Sequence, residues 1–307
     1  MKRVLKKYLK RSLRYLFESG QRLGLDILPR HFYSEIPDIV ELKKDGLWKR
    51  PFSMVGLNGV ETNAQLAFVE SCCAPHLVER QKQENFYLDA CQANGEPGFG
   101  PIEADFLFCF IVSRRPKKII QIGCGVSTAV VIRASEEAGY QPEIIAIDPY
   151  PTDFLRKLNG NGRIQLIEKK AQEVDLRLLT NLGEDGFLFV DSTHCIRPGS
   201  EVTRIILEAL PGLKKGSWVH FHDIYFPYDY SRSVLKEDLF FWRESVLLHA
   251  FLAGNAHYTI RAALSLLHYF GPSELGRFLP NYRPAMNDQG LEASEGHFPS
   301  SLYLQVI

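Results

Sequence analysis

Residues 118–134 read KIIQIGCGVSTAVVIRA. Ile119, Ile120 and Ile122 make a short apolar strand, Gly123 and Gly125 allow a tight turn, and a helix-forming run starts at once. Such a strand–turn–helix unit brings bare backbone N–H groups and a helix N-terminus up to a ligand. Further on, Ile144–Asp148 (IIAID) gives a second apolar strand that stops on a carboxylate. Together the two segments form the halves of a nucleoside-binding βαβ unit.

Working outward, strands and helices alternate from Lys117. Strands are expected at Ile119–Ile122, Ile144–Ile147, Ile164–Glu168, Phe187–Val190 and Trp218–His222, with two more at Tyr258–Leu264 and Ser301–Val306. Most are apolar on both faces, as in a parallel sheet covered by helices on each side. Helices fit Thr128–Ala138, Phe154–Leu158, Leu176–Leu182 and Glu201–Leu210. The expected fold is α/β: a Rossmann-like, doubly wound, seven-stranded sheet whose ligands sit beyond the carboxyl ends of its strands.

An insertion, 224–256, follows the fifth strand. It carries an aromatic loop (Tyr225, Phe226, Pro227, Tyr228, Tyr230) and a helix expected at Leu239–Ala253. It reads either as a lid or as an edge-covering helix whose aromatics are core. Pro272–Phe298, rich in Gly, Pro and Asn, reads as surface loop. Upstream, Thr62–Leu77 and Glu79–Asn94 carry helical spacing, NGEPGFGP (94–101) marks a boundary or an active-site loop, and Glu103–Ser113 is a helix. The domain reading is therefore a mostly helical N-terminal extension, 1–100, and a ligand-binding domain, 101–307.

The chain has 307 residues, 45% apolar and 23% charged, and a formal net charge of zero. That balance offers nucleic acid no electrostatic footprint. The charge is unevenly spread. Lys2, Arg3, Lys6, Lys7, Lys10, Arg11 and Arg14 all precede the first acid, Glu18, and alternate with Val4, Leu5, Tyr8, Leu9, Leu13, Leu16 and Phe17 at helical intervals. Residues 1–24 read either as a helix at an anionic membrane surface or as a solvated helix. The six cysteines form no CxxC pair, which favours a reduced, cytoplasmic protein, at most peripheral at the inner membrane surface. No run reaches the roughly 18–20 apolar residues of a membrane span, and no secretory h-region is seen.

Two ligand classes use such a glycine turn. A dinucleotide fingerprint wants a small third residue where this chain has Thr128. The carboxylate Asp148 suits a ribose diol, and the third and fourth strands end in the polar stretch 170–173 and in Asp191. With these residues the chain from about Pro101 onward resembles class I S-adenosylmethionine-dependent methyltransferases. It is most similar to a bacterial small-molecule O-methyltransferase group with a GxGxS motif (Gly123, Gly125, Ser127), a DSxH motif (Asp191–His194) and an HxHDI motif (His220–Ile224). The resemblance implies that Gly123, Gly125 and Ser127 line the methionine end and ribose of the cofactor. It also implies that Asp148 binds the ribose diol, that Gln172 lies by the adenine and that Asp191 borders the cofactor. The acidic residue that often stands two places before the first glycine is Gln121 here.

Methyl transfer needs alignment, exclusion of water and removal of the acceptor's proton. Asp191, His194, His222 and Asp223 fall at the ends of adjacent strands and are the candidate catalytic set, with His as a base suited to neutral pH. Asp191 and Asp223 also stand where related enzymes hold a divalent metal, but His222 occupies a place where an oxygen ligand is usual. Magnesium prefers oxygen, so a metal-free His base is favoured over a metal. His194 has a second reading as a helix cap, and His220 reads as a core histidine. The expected reaction is O-methylation of a small polar acceptor such as a sugar or glycan precursor. The alternatives are an NAD(P)-dependent oxidoreductase and an inactive membrane-docked binding protein.

Overall fold

The strands form where short runs of Ile, Val, Phe and Leu are buried on both sides. In the structure, a computed structural model describing residues 2–229, 239–283 and 298–307, they are β1 (Lys118–Ile122), β2 (Glu143–Ile147), β3 (Gln165–Ile167), β4 (Phe187–Val190), β5 (Trp218–Phe221), β6 (Tyr258–Ala263) and β7 (Leu302–Val306). They make one sheet in the order β3-β2-β1-β4-β5-β7-β6. Pairing is parallel from β3 to β5, and β7 runs antiparallel to both its neighbours. This is the expected seven-stranded, doubly wound α/β sheet. Its order reverses between β1 and β4, and the crevice at such a switch point is where open α/β sheets bind ligands.

Two compact units make up the chain, Met1–Asp45 and Gly46–Ile307. The first contains α1 (Lys2–Arg22) and α2 (Ile39–Asp45). Tyr8, Leu9, Tyr15 and Leu16 on α1 are exposed. Among the described residues, no helix is long and apolar enough to cross a membrane.

In the second unit, α3 (Thr62–Cys72), α4 (Pro75–Gln83), α5 (Phe86–Asn94), α6 (Pro101–Arg114) and α7 (Val126–Glu137) come with or before the first strands. The two long helices expected upstream are three shorter ones. Pro75 lacks the N–H to continue α3 and instead starts α4, while Asn85 caps α5 through its side chain. Further along come α8 (Asp153–Gly160), α9 (Leu176–Thr180), α10 (Glu201–Arg204), α11 (Glu244–Leu252), α12 (Leu264–Phe270) and α13 (Pro272–Phe278).

Three expectations change here. The helix after the insertion loop starts at Glu244, not Leu239. Part of the expected surface loop is α13, started by Pro272 and anchored by the buried Leu275. The cap of α10 is Ser200, whose side chain accepts the Thr203 N–H, so His194 is not a helix cap. Tyr230 and the rest of 230–238 in the insertion, and 284–297 of the expected loop, lie outside the described residues.

Strand alternation sorts the core into two layers. Ile119, Phe187, Phe189, Trp218 and Tyr303 pack toward α3, α6 and α7, while Ile120, Ile122, Leu188, Val190, Val219 and Phe221 pack on the other face. The same two-residue period carries past the strand ends. Gly123, Asp191 and His222 continue the rows of Ile119, Phe187 and Trp218, which places them on the α6 side of the sheet.

Candidate active site

The turn after β1 is built on contacts that exclude side chains. Gly123 has φ +78°, and a Cβ there would lie 1.7 Å from the carbonyl oxygen of Asp191. Gly125 has φ +144°, and a Cβ there would meet the Asn94 amide at 3.0 Å. Both positions demand glycine. Asp148 ties the turn to β2. Its Oδ2 accepts the Cys124 N–H (3.1 Å) and its Oδ1 accepts the Tyr150 N–H (2.8 Å), leaving each oxygen a further lone pair.

Thr128 has a local task. Its Oγ1 accepts the Gly125 N–H at 3.2 Å. The amide that would face a pyrophosphate in a dinucleotide site is thereby already engaged. Gln121 is fully buried; its Nε2 donates to Ser127 Oγ at 3.5 Å and its Oε1 has no hydrogen-bond partner among the described residues. A buried amide oxygen without a partner is costly, which suits an acceptor awaiting a ligand's amino group.

A cleft of about 430 Å³ is lined by Gly123, Asp148, Tyr150, Ala171, Gln172 and Asp191, among others. A second hollow of about 240 Å³, lined by Asn94, Phe99, Ser127 and others, adjoins it through Gly123, Asp148 and Asp191. The wall formed by Ala171 and Gln172 is pinned from outside the cleft. Arg204 Nη1 donates to the carbonyls of Ala171 (3.2 Å) and Gln172 (2.6 Å). Glu201 anchors the loop after β4, accepting from Thr193 N–H (3.1 Å) and Oγ1 (2.5 Å). Burial works to raise the Glu201 carboxyl, but these bonds and the Arg197 charge hold it below its ordinary value.

The four candidate catalytic residues converge. His194 Nε2 lies 3.6 Å from Asp191 Oδ1 and 3.6 Å from Asp223 Oδ2, and His222 Nε2 lies 3.6 Å from Asp223 Oδ1. Ser300 Oγ donates to Asp223 Oδ1 at 2.9 Å. Burial pushes the Asp223 carboxyl up, but His222, His194, Ser300 and Tyr225 together hold it below its ordinary value. Burial pulls His194 down, yet Asp191, Glu244 and Asp223 outweigh it and keep the ring well above its usual range. His220 is the expected core histidine, stacked on Phe189 at 4.3 Å with Nε2 on Ser301 Oγ at 2.9 Å, and burial and the His222 charge push it well down. Among the described residues, no group of three or more His, Cys, Asp or Glu is arranged to hold a metal ion.

This strand-end cleft lies within the stretch matched by the family model described as Methyltransferase domain, residues 120–224. The matched stretch is about a third of the chain and runs from within β1 through β2, β3, β4 and β5. An uncharacterised protein of Archaeoglobus fulgidus is 28% identical over 194 residues, spanning 60% of this chain and 84% of that one. Among solved structures, the SAH-bound methyltransferase PaMTH1 of Podospora anserina is similar with 15% identity and a TM-score of 0.43, covering 73% of this chain and 88% of that one. The plantazolicin methyltransferase BamL, in complex with a triazolic desmethylPZN analog and SAH, has 15% identity and a TM-score of 0.40, with coverages of 80% and 96%.

Several residues around the cleft escape sequence reasoning. Phe99, at φ +55° in the NGEPGFGP loop, sets its ring 4.8 Å from that of His222. Asn94 covers Gly125 and accepts from Thr152 Oγ1 at 2.9 Å. Glu244 reaches His194 from beyond the domain match, at 2.7 Å. The Gly/Pro density of 94–101 was the one signal available for the first two. For Glu244 the sequence marks only the insertion that carries it, not its pairing with His194.

Proposed function

We propose that the protein is an S-adenosylmethionine-dependent O-methyltransferase acting on a small polar acceptor bearing a hydroxyl, such as a sugar or glycan precursor. The reading rests chiefly on the joined cleft at the β1/β4 switch point, where a glycine turn and a strand-end carboxylate meet beside the buried Gln121, whose Oε1 has no partner among the described residues. In it, Gly123, Gly125 and Ser127 face the methionine end and ribose. Gln121 Oε1 accepts from the amino group, Asp148 takes the ribose diol, Asp191 borders the sugar, and Gln172 lies by the adenine. When bound, S-adenosylmethionine supplies an electrophilic methyl group.

The chain's own residues do the rest. Phe99 and the 94–101 loop exclude water above the turn, which strengthens the electrostatics beneath it. His222, oriented by Asp223, takes the hydroxyl proton, and Asp191 and His194 hold the floor of the site. Acid–base assistance of this kind contributes about 10²–10⁴-fold in rate. The observation against a dinucleotide-dependent reaction is the Gly125 N–H committed to Thr128.

Calorimetric titration with S-adenosylmethionine tests the reading. Micromolar binding with no heat from NAD or NADP is expected; the absence of binding at millimolar S-adenosylmethionine overturns it.

We also propose that α1 rests on an anionic membrane surface. Lys10, Arg11 and Arg14 share one side of the helix, while the exposed Leu9 and Leu16 lie on the other. Sedimentation of the protein with vesicles containing phosphatidylglycerol, and not with phosphatidylcholine alone, is the expected result. Equal sedimentation with both overturns it.

A further inference from the structure

Glu244 opens α11, in the segment that follows β5, and its side chain is only 1% exposed. A carboxylate so placed requires a partner, and the partner is His194. Oε2 and Nδ1 stand 2.7 Å apart, so a proton lies between them. The other ring nitrogen, Nε2, faces one carboxylate oxygen of Asp191 and one of Asp223, each at 3.6 Å. Ionised carboxylates only accept, so a lone pair on Nε2 would confront two negative oxygens. A proton there makes both contacts attractive.

The backbone enforces the same pose. His194 has φ +57°, a conformation a residue with a β-carbon keeps only where its surroundings over-determine it. Trp242 covers the ring at 4.7 Å, and the Arg243 N–H donates to the His194 carbonyl at 3.3 Å. The segment entering α11 thus holds His194 by ring and by backbone. Among the described residues, the ionisable groups around the ring are Asp191 after β4, Asp223 after β5 with His222 beyond it, and Glu244 from α11.

We propose that Glu244 is a positioning residue that holds His194 as a doubly protonated imidazolium bridging Asp191 and Asp223, so that His194 is a fixed cation and His222 alone receives the acceptor's proton. The role of His222 rests on the methyl-transfer reading; the state of His194 does not. Three carboxylates around one imidazolium leave the strand-end site net negative, which complements a cationic methyl donor. The two histidines of the motif pair then have different tasks, set by what each faces. His194 is enclosed by carboxylates. His222 has Asp223 on one side and Phe99 on the other.

The direct test is nitrogen-15 spectroscopy of the imidazole side chains of the full chain across a pH titration, with His194→Gln identifying its signal by loss. The His194 midpoint is expected well above the ordinary value of about 6.5, with both nitrogens protonated at neutral pH. Glu244→Gln is expected to lower that midpoint by about one pH unit or more, and Glu244→Asp to restore part of the shift. A native midpoint near 6.5, or one unmoved by Glu244→Gln, overturns the proposal. Should Glu244→Gln fail to fold, the native titration still decides. In turnover, Glu244→Gln should lower kcat and shift its pH profile while leaving KM for S-adenosylmethionine nearly unchanged. Calorimetry on the same samples separates the two failures: absent S-adenosylmethionine binding sinks the methyl-transfer reading, whereas a normally titrating His194 sinks this one.

Discussion

Gly123 and Asp191 are in contact through their backbones: a Cβ on Gly123 would lie 1.7 Å from the Asp191 carbonyl oxygen. The ends of β1 and β4 therefore close on each other at the switch point, and the Asp191 N–H completes the junction by donating to the Ile122 carbonyl at 2.8 Å. Gly123→Ala must both strain φ +78° and push the strand ends apart. A stability loss on the order of 3 kcal/mol is expected in urea unfolding, with cofactor affinity reduced more than about tenfold.

Arg204 supports the opposite wall without facing the ligand. Arg204→Ala frees the carbonyls of Ala171 and Gln172, so the 171–173 turn loses its anchor. Calorimetry should show S-adenosylmethionine binding weakened about tenfold, equivalent to about 1.4 kcal/mol. Turnover at saturating cofactor should stay near that of the native protein, because no strand-end group is disturbed.

His222→Gln keeps a polar side chain of similar reach but cannot accept a proton near neutral pH. A fall in kcat of about 10²–10⁴-fold is expected in a methyl-transfer assay, with cofactor affinity within about threefold of native. A loss confined to cofactor affinity would place His222 in binding instead.

Asp105 gives a pH dependence of stability away from the site. Its side chain is 1% exposed and accepts both the N–H and the Nδ2 of Asn281, each at 2.8 Å. Burial, opposed in part by those bonds and aided by the Glu103 charge, raises its carboxyl to about 7. The ordinary value is about 3.9, so between about pH 4 and pH 7 the folded chain keeps a proton that the unfolded chain has released. Stability should fall as pH rises through that window and level off above it, by an amount on the order of 4 kcal/mol. His194, also raised, contributes a loss of the same sign, beginning only above about 6.5. Asp105→Asn should flatten the lower part of the curve in thermal unfolding and leave the upper part.

Much of this was legible in the chain itself. Ile119–Ile122 and Ile144–Ile147 alternate with helical stretches because buried parallel strands must be apolar on both faces, and that pattern is local. The glycine turn, Asp148 and Asp191 were legible for a related reason: strand ends in this fold have fixed neighbours, so position in the sequence implies position at the crevice. Pro75 and Asn85, which break the expected upstream helices, act through ordinary local chemistry that a long apolar period had masked.

By itself, then, the sequence determined the sheet, the switch point and which strand ends carry carboxylates and histidines, because period and turn chemistry act over a few residues. Only the tertiary structure decided what those groups face. Glu244 lies 50 residues from His194 in the chain yet 2.7 Å from it in space, and Ser300 lies 77 residues from Asp223. Such contacts follow from how α11 and the segment before β7 pack against the strand ends, and no local pattern encodes them. The electrostatic difference between His194 and His222 arises there too, since a proton's residence is set by the charges around a ring and not by its neighbours in the chain.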